Sequence, residues 1–98
     1  MLSKPERHLR ICMELNDLYS KKNKDYGDSF HLSYLEEGMA MPRIRLGDKL
    51  NRFKQLSKNP EAQKVRSESL RDTLIDLANY AIMTILEMDD DQREVKNE

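Results

Sequence analysis

Glu68-Ser-Leu-Arg-Asp72-Thr-Leu-Ile-Asp76-Leu-Ala-Asn79-Tyr80 is the stretch whose reading decides the fold class. At 100° per residue, positions 68, 72, 76 and 79 fall within roughly an 80° arc of a helix. Leu70, Leu74, Leu77, Ala78, Ala81, Ile82 and Ile85 cover the opposite side. An acidic and amide stripe on a helix headed for a core needs partners. A divalent cation, bound ligand groups or basic residues of a neighbouring helix would each serve.

Working outward, the same helix is expected to begin near Ser67 or Ser69, the latter with a Ser-x-x-Asp capping pattern to Asp72, and to end at Met88. Ala78 and Ala81 let another helix approach closely, so a subunit interface is expected here. Asp89 to Glu98 reads as a charged, partly disordered tail, leaving 1–88 as a single α-helical domain. Towards the N-terminus, Ser57 to Arg66 is a polar connection that Asn59-Pro60 restarts. Before it, Pro42 opens a helix with an apolar face of Leu46, Leu50 and Phe53 and a basic face of Arg45, Lys49 and Arg52. Gly47 weakens that helix by about 1 kcal/mol relative to Ala, a cost that close helix packing or backbone approach to a ligand would justify. His31 to Glu37 predicts a short helical turn stopped by Gly38, and Lys22 to His31, around Gly27, a loop. Ser3 as N-cap, Pro5 and Glu6 start a first helix that the spacing of Leu9, Ile11, Cys12, Leu15, Leu18 and Tyr19 carries to about Lys22. With no strand alternation, the expectation is all-α: a small bundle of three main helices, completed by oligomerisation because a 98-residue chain buries a modest core.

The net charge of −1 argues against a general nucleic-acid binder and makes any phosphate site local. A single cysteine, Cys12, points to a reducing compartment. No signal-peptide run and no span of roughly 20 apolar residues is present, so a cytoplasmic protein without membrane partners is expected. His8 and His31 lack neighbours at zinc-ligand spacing, and there is no Ser-His-Asp set or Gly-rich phosphate loop.

Two chemistries remain for the charged faces. Glu68, Asp72 and Asp76, with Asp48 from the facing helix, offer hard oxygen ligands for Mg²⁺. Against this stands a purely structural pairing of Asp72 and Asp76 with Arg45, Lys49 or Arg52 across a helix contact. The second chemistry needs no metal, because Arg forks and Lys ammonium groups hold phosphates directly. Lys22, Lys24, Arg45, Lys49 and Arg52 are its candidates, against a plain solvated face. Tyr26, Phe30, His31 and Tyr34 supply flat surfaces on which a base stacks; alternatively Tyr26 and Phe30 only plug the loop onto the core.

Three blocks, Lys22-Asn-Lys-Asp-Tyr-Gly-Asp-Ser-Phe, Arg45-Leu-Gly-Asp-Lys-Leu-Asn-Arg-Phe-Lys-Gln-Leu and Glu68-Ser-Leu-Arg-Asp-Thr-Leu-Ile-Asp-Leu-Ala-Asn-Tyr-Ala-Ile-Met, resemble the nucleotide modification associated domain 1 family of phages and bacteria. The helical pattern is also similar to the all-alpha NTP pyrophosphatases of the MazG and dUTPase-like superfamily. That similarity implies an oligomeric bundle in which a Glu-Glu-x-x-Glu helix and a Glu-x-x-Asp helix hold Mg²⁺ against a nucleoside triphosphate. Asp76-Leu-Ala-Asn79 aligns with the second motif, with Asn79 where aspartate is expected. At the first motif this chain offers Asp48-Lys49-x-x-Arg52 in place of a carboxylate cluster.

The resulting expectation is a nucleotide-binding homo-oligomer in the cytoplasm of an infected or host bacterium. It sequesters a nucleotide or cyclic nucleotide signal without cleaving it, through Lys24, Asp25, Tyr26, Arg45, Asp48, Lys49, Arg52, Asn79 and Tyr80. The alternative is a MazG-like (d)NTP pyrophosphohydrolase, in which Mg²⁺ on Glu68, Asp72 and Asp76 is the cofactor. A second alternative is a protein-binding assembly module.

Overall fold

Ser3 starts the first helix as its sequence demands: the side chain accepts a hydrogen bond from the Glu6 N–H at 3.3 Å, and Pro5 occupies the first turn. In the computed structural model that helix, α1, spans Lys4–Tyr26. It is followed by α2 (Ser29–Glu37), α3 (Ala40–Lys58) and α4 (Gln63–Asn97). The structure describes the backbone of residues 1–59 and 63–97 and the side chains of residues 1–25, 27–59 and 70–93. Among the described residues there is no strand, so the chain is all-α. No described helix is long and apolar enough to cross a membrane.

Among the described residues the three main helices and the short one before Gly38 are all present, with boundaries that differ from those expected, and each difference has a local cause. α1 runs through Lys22–Tyr26, because nothing there breaks a helix until Gly27, whose φ of 66° ends it. The expected ten-residue loop shrinks to Gly27 and Asp28, and α2 starts at Ser29 and makes two turns before Gly38, also at φ 66°, stops it. Ser67 and Ser69 lie inside α4 rather than at its start. At the other end, the segment expected as a tail after Met88 continues the same helix to Asn97, since Asp89–Asn97 contains neither Gly nor Pro. Asp91 accepts a 2.7 Å hydrogen bond from the Tyr34 hydroxyl, which ties this extension to α2.

The most extensive packing is α3 on α4. Pro42 and Met41 are buried, and Leu46, Lys49, Phe53 and Leu56 follow them at alternating spacings of three and four residues. Leu50, expected inward, is exposed, and Lys49 takes the inward place because Asp76 meets it there. On α4, Leu70, Thr73, Leu77, Tyr80, Thr84 and Glu87 repeat the same spacing and form the inward side; Thr73, Thr84 and Glu87 are buried. The Lys49–Asp76 pair, with Met41 and Met83 lining one cleft further along, sets the two helices antiparallel.

The molecule is long for its mass. Its radius of gyration is 16.0 Å, against about 13 Å for a compact domain of 100 residues. Its longest dimension of 54 Å matches the roughly 52 Å that 35 helical residues of α4 span.

Candidate functional site

All four helices meet at one cleft of about 250 Å³. α1 contributes Tyr19, Lys22 and Asn23; the turn and α2 add Gly27, Ser29, Phe30 and Ser33. α3 supplies Met41 and Arg45, and α4 supplies Asp76, Asn79, Tyr80 and Met83. Gly27 is what allows the chain to leave α1 and re-enter helix within two residues, bringing Ser29 and Phe30 against α4.

The cleft has a charged end and an aromatic end. At the charged end, Asp76 is met by Lys49 from α3 at 3.1 Å and by Lys22 from α1 at 3.9 Å, one lysine to each carboxylate oxygen. Arg45 also lines the cleft, exposed, and among the described residues no carboxylate pairs with it. The cationic groups outnumber Asp76, so this end has positive charge to offer an anion. At the aromatic end, the Phe30 and Tyr80 rings stack with centroids 6.0 Å apart and 26° between planes. Phe30 therefore does fasten α2 onto the core, and its half-buried ring also forms part of the wall. Burial raises the Tyr19 hydroxyl above the usual phenol range, so it stays a neutral donor and acceptor.

Asn79 explains itself here. Its side-chain nitrogen donates to the Leu15 carbonyl at 3.2 Å, tying α4 to α1 beneath the cleft. An aspartate at this position would set a carboxylate oxygen against a carbonyl oxygen, two acceptors with no proton between them. This packing favours an amide donor at position 79 over a carboxylate.

Of the candidates from sequence, Lys22, Phe30, Arg45, Asp76, Asn79 and Tyr80 line the cleft, and Lys49 reaches it through Asp76. Lys24, Asp25, Asp48 and Arg52 are exposed and do not line it, nor does Asp72. The side chains of Tyr26 and Glu68 lie outside the described residues. Among the described residues no three His, Cys, Asp or Glu side chains gather to hold a metal ion. Asp72 is exposed, and Asp76 is matched by lysines. Sequence reasoning overlooked Tyr19, Asn23, Ser29, Ser33, Met41 and Met83 as wall residues. Only Tyr19 carried a signal, as an aromatic one helical turn before Lys22 and Asn23.

A second polar contact ties α2 to α4 outside the cleft lining. His31 Nδ1 donates to Glu87 at 2.7 Å, joining α2 to the middle of α4 where Glu87 is only 7% exposed. That hydrogen bond holds the imidazole above its ordinary pKa, with the Asp28 and Asp90 charges adding to it.

The family model described as nucleotide modification associated domain 1 matches residues 22–88. The chain belongs to this family. Its matched span opens at Lys22 and closes one residue beyond Glu87, so every wall residue except Tyr19 lies inside the family domain. The first five turns of α1 precede that domain. Neither a curated protein nor a solved structure matches the chain.

Proposed function

We propose that the protein binds a nucleotide or cyclic nucleotide and retains it without cleavage. The observation that supports this most is the state of Asp76: the acid that a hydrolytic site would direct at a metal is engaged by Lys22 and Lys49. In this reading the ligand's phosphate meets Arg45 and the lysines, exchanging a protein carboxylate for a phosphate as partner. Its base lies towards Phe30, Tyr80 and Tyr19, where flat faces and the Ser29, Ser33 and Asn23 polar groups are available. Family membership supports a nucleotide as the ligand class. A volume of about 250 Å³ is just below the range that encloses a drug-sized ligand, so a nucleotide there keeps one side in solvent or against a second subunit of a homo-oligomer. A protein of this kind acts as a sponge: in an infected bacterium it would remove a signalling nucleotide from circulation.

The test is incubation of the purified protein with nucleoside triphosphates and cyclic nucleotides, with and without Mg²⁺, followed by heat release and chromatography. A ligand depleted from solution and recovered intact is expected. Monophosphate plus pyrophosphate formed only with Mg²⁺ would replace this reading with a MazG-like pyrophosphohydrolase. Depletion of nothing would leave a protein-binding module. Arg45→Ala is expected to weaken ligand binding about tenfold or more, as loss of a charge-assisted hydrogen bond does, with the helical circular dichroism unchanged.

A further inference from the structure

α4 carries a second seam on the side turned away from α1, α2 and α3. Leu74, Ala78, Ala81, Ile85 and Met88 follow each other at spacings of four, three, four and three residues, the heptad pattern of a helix that packs on another helix. Among the described residues they are left largely uncovered: Leu74 is 46% exposed, Ile85 54% and Met88 45%, with Ala81 exposed and Ala78 half-buried. This uncovered seam is entirely apolar, whereas the covered one contains two threonines, a tyrosine and a glutamate.

Two further observations say what covers it. First, a folded monomer of 11.6 kDa exposes roughly 5,800 Å². This chain exposes 8040 Å², an excess of about 2,200 Å², whereas a stable pair needs about 800 Å² from each partner. Second, the seam is close to a palindrome. Large, small, small, large at 74, 78, 81 and 85 reads the same in both directions, so turning the helix end for end sets Leu74 opposite Ile85 and Ala78 opposite Ala81. That self-complementarity is what an isologous two-fold interface requires. The small alanines sit where two crossing backbones come closest, and the large residues flank them.

We propose that α4 pairs antiparallel with α4 of a second copy of this chain, about a two-fold axis passing between Ala78 and Ala81. The pairing does not depend on the cleft binding a nucleotide, because the seam and the cleft occupy opposite sides of the helix.

The test uses the full chain without ligand. Sedimentation at tens of micromolar is expected to give a dimer or an even multiple of it, and Ile85→Asp, a change at a side chain exposed in the single chain, to shift that species towards monomer with helicity retained. Register is read by disulfides in a Cys12→Ser background. Leu74→Cys mixed with Ile85→Cys should cross-link on oxidation. Neither variant should cross-link alone, because like positions are then eleven residues, about 16 Å, apart along the helix, beyond the roughly 7 Å reach of a disulfide. A monomeric wild type, an oligomer indifferent to Ile85→Asp, a mixture that fails to cross-link, or self-cross-linking of either single variant would each overturn the proposal.

Discussion

The two sides of α4 share a spacing and differ in chemistry. Inward, Tyr80, Thr84, Glu87 and the adjacent Asp76 are polar, and each has a named partner. Thr84 donates to the Tyr80 carbonyl at 2.7 Å, Glu87 accepts from His31, and Asp76 meets Lys49 and Lys22. Outward, Leu74, Ile85 and Met88 are apolar and uncovered. Polar groups with directional partners fix which residue faces which, so the inward side determines one register and lines one cleft. Apolar surface gives area without direction, so the outward side supplies association energy and relies on its palindromic spacing for geometry. A small helical chain can thus carry partnered polar groups on its inward side and leave apolar surface outward.

That contrast can be broken most severely at Tyr80. Tyr80→Ala removes the ring stacked on Phe30 and is expected to destabilise the fold by about 3 kcal/mol, lowering Tm by more than roughly 10 °C in a thermal melt. Ile85→Ala, at protein concentrations where subunits are dissociated, should cost under about 1 kcal/mol in the same melt, because that side chain is already half in water. Equal losses at the two positions would erase the distinction between the sides.

Asn79→Asp sharpens it next. Replacing a donor with an acceptor 3.2 Å from the Leu15 carbonyl should cost about 1–2 kcal/mol by chemical denaturation, and the aspartate should not generate Mg²⁺-dependent turnover. Gly47→Ala acts in the opposite direction. A Cβ built at Gly47 meets nothing within 4 Å, and the residue is helical with ordinary φ, so alanine should stabilise by about 0.5–1 kcal/mol. The sequence reading offered close helix packing or backbone approach to a ligand; within one chain that space is open. Lost ligand binding or dissociation in Gly47→Ala would show that the space is used by something else.

The smallest effect concerns pH. His31 has a raised pKa in the folded chain because it donates to Glu87, so folding favours its protonated form. The stabilisation from this pair is complete below the ordinary imidazole value of 6.5 and is lost as pH rises through the raised folded value. Denaturation midpoints of wild type and His31→Gln should therefore converge on raising the pH, and a constant difference across that range would remove the charge from this contact.

Much of the helical layout was legible because its signals are local. Ser3, Pro5, Gly27 and Gly38 act within a turn or two, and apolar period marks α1, α3 and α4 without reference to anything distant. The boundaries that misread did so for one reason: the period fades where polar residues continue a helix, as in Lys22–Tyr26 and Asp89–Asn97. The acidic stripe on α4 was legible as needing partners, but which of metal, ligand or lysine would meet Asp76 was not.

By itself, then, the sequence determined that the chain is helical, where glycine must interrupt it, and that α4 carries an acidic stripe and an apolar seam, because each follows from backbone conformational preference and residue period. Only the tertiary structure decided that Lys22, Lys49 and Asp76 converge, that Asn79 is held by Leu15, and that Lys24, Asp48 and Arg52 stay outside the cleft. Those outcomes depend on how helices far apart in sequence are rotated and placed against each other, and that rotation is set by the packing of all their faces at once.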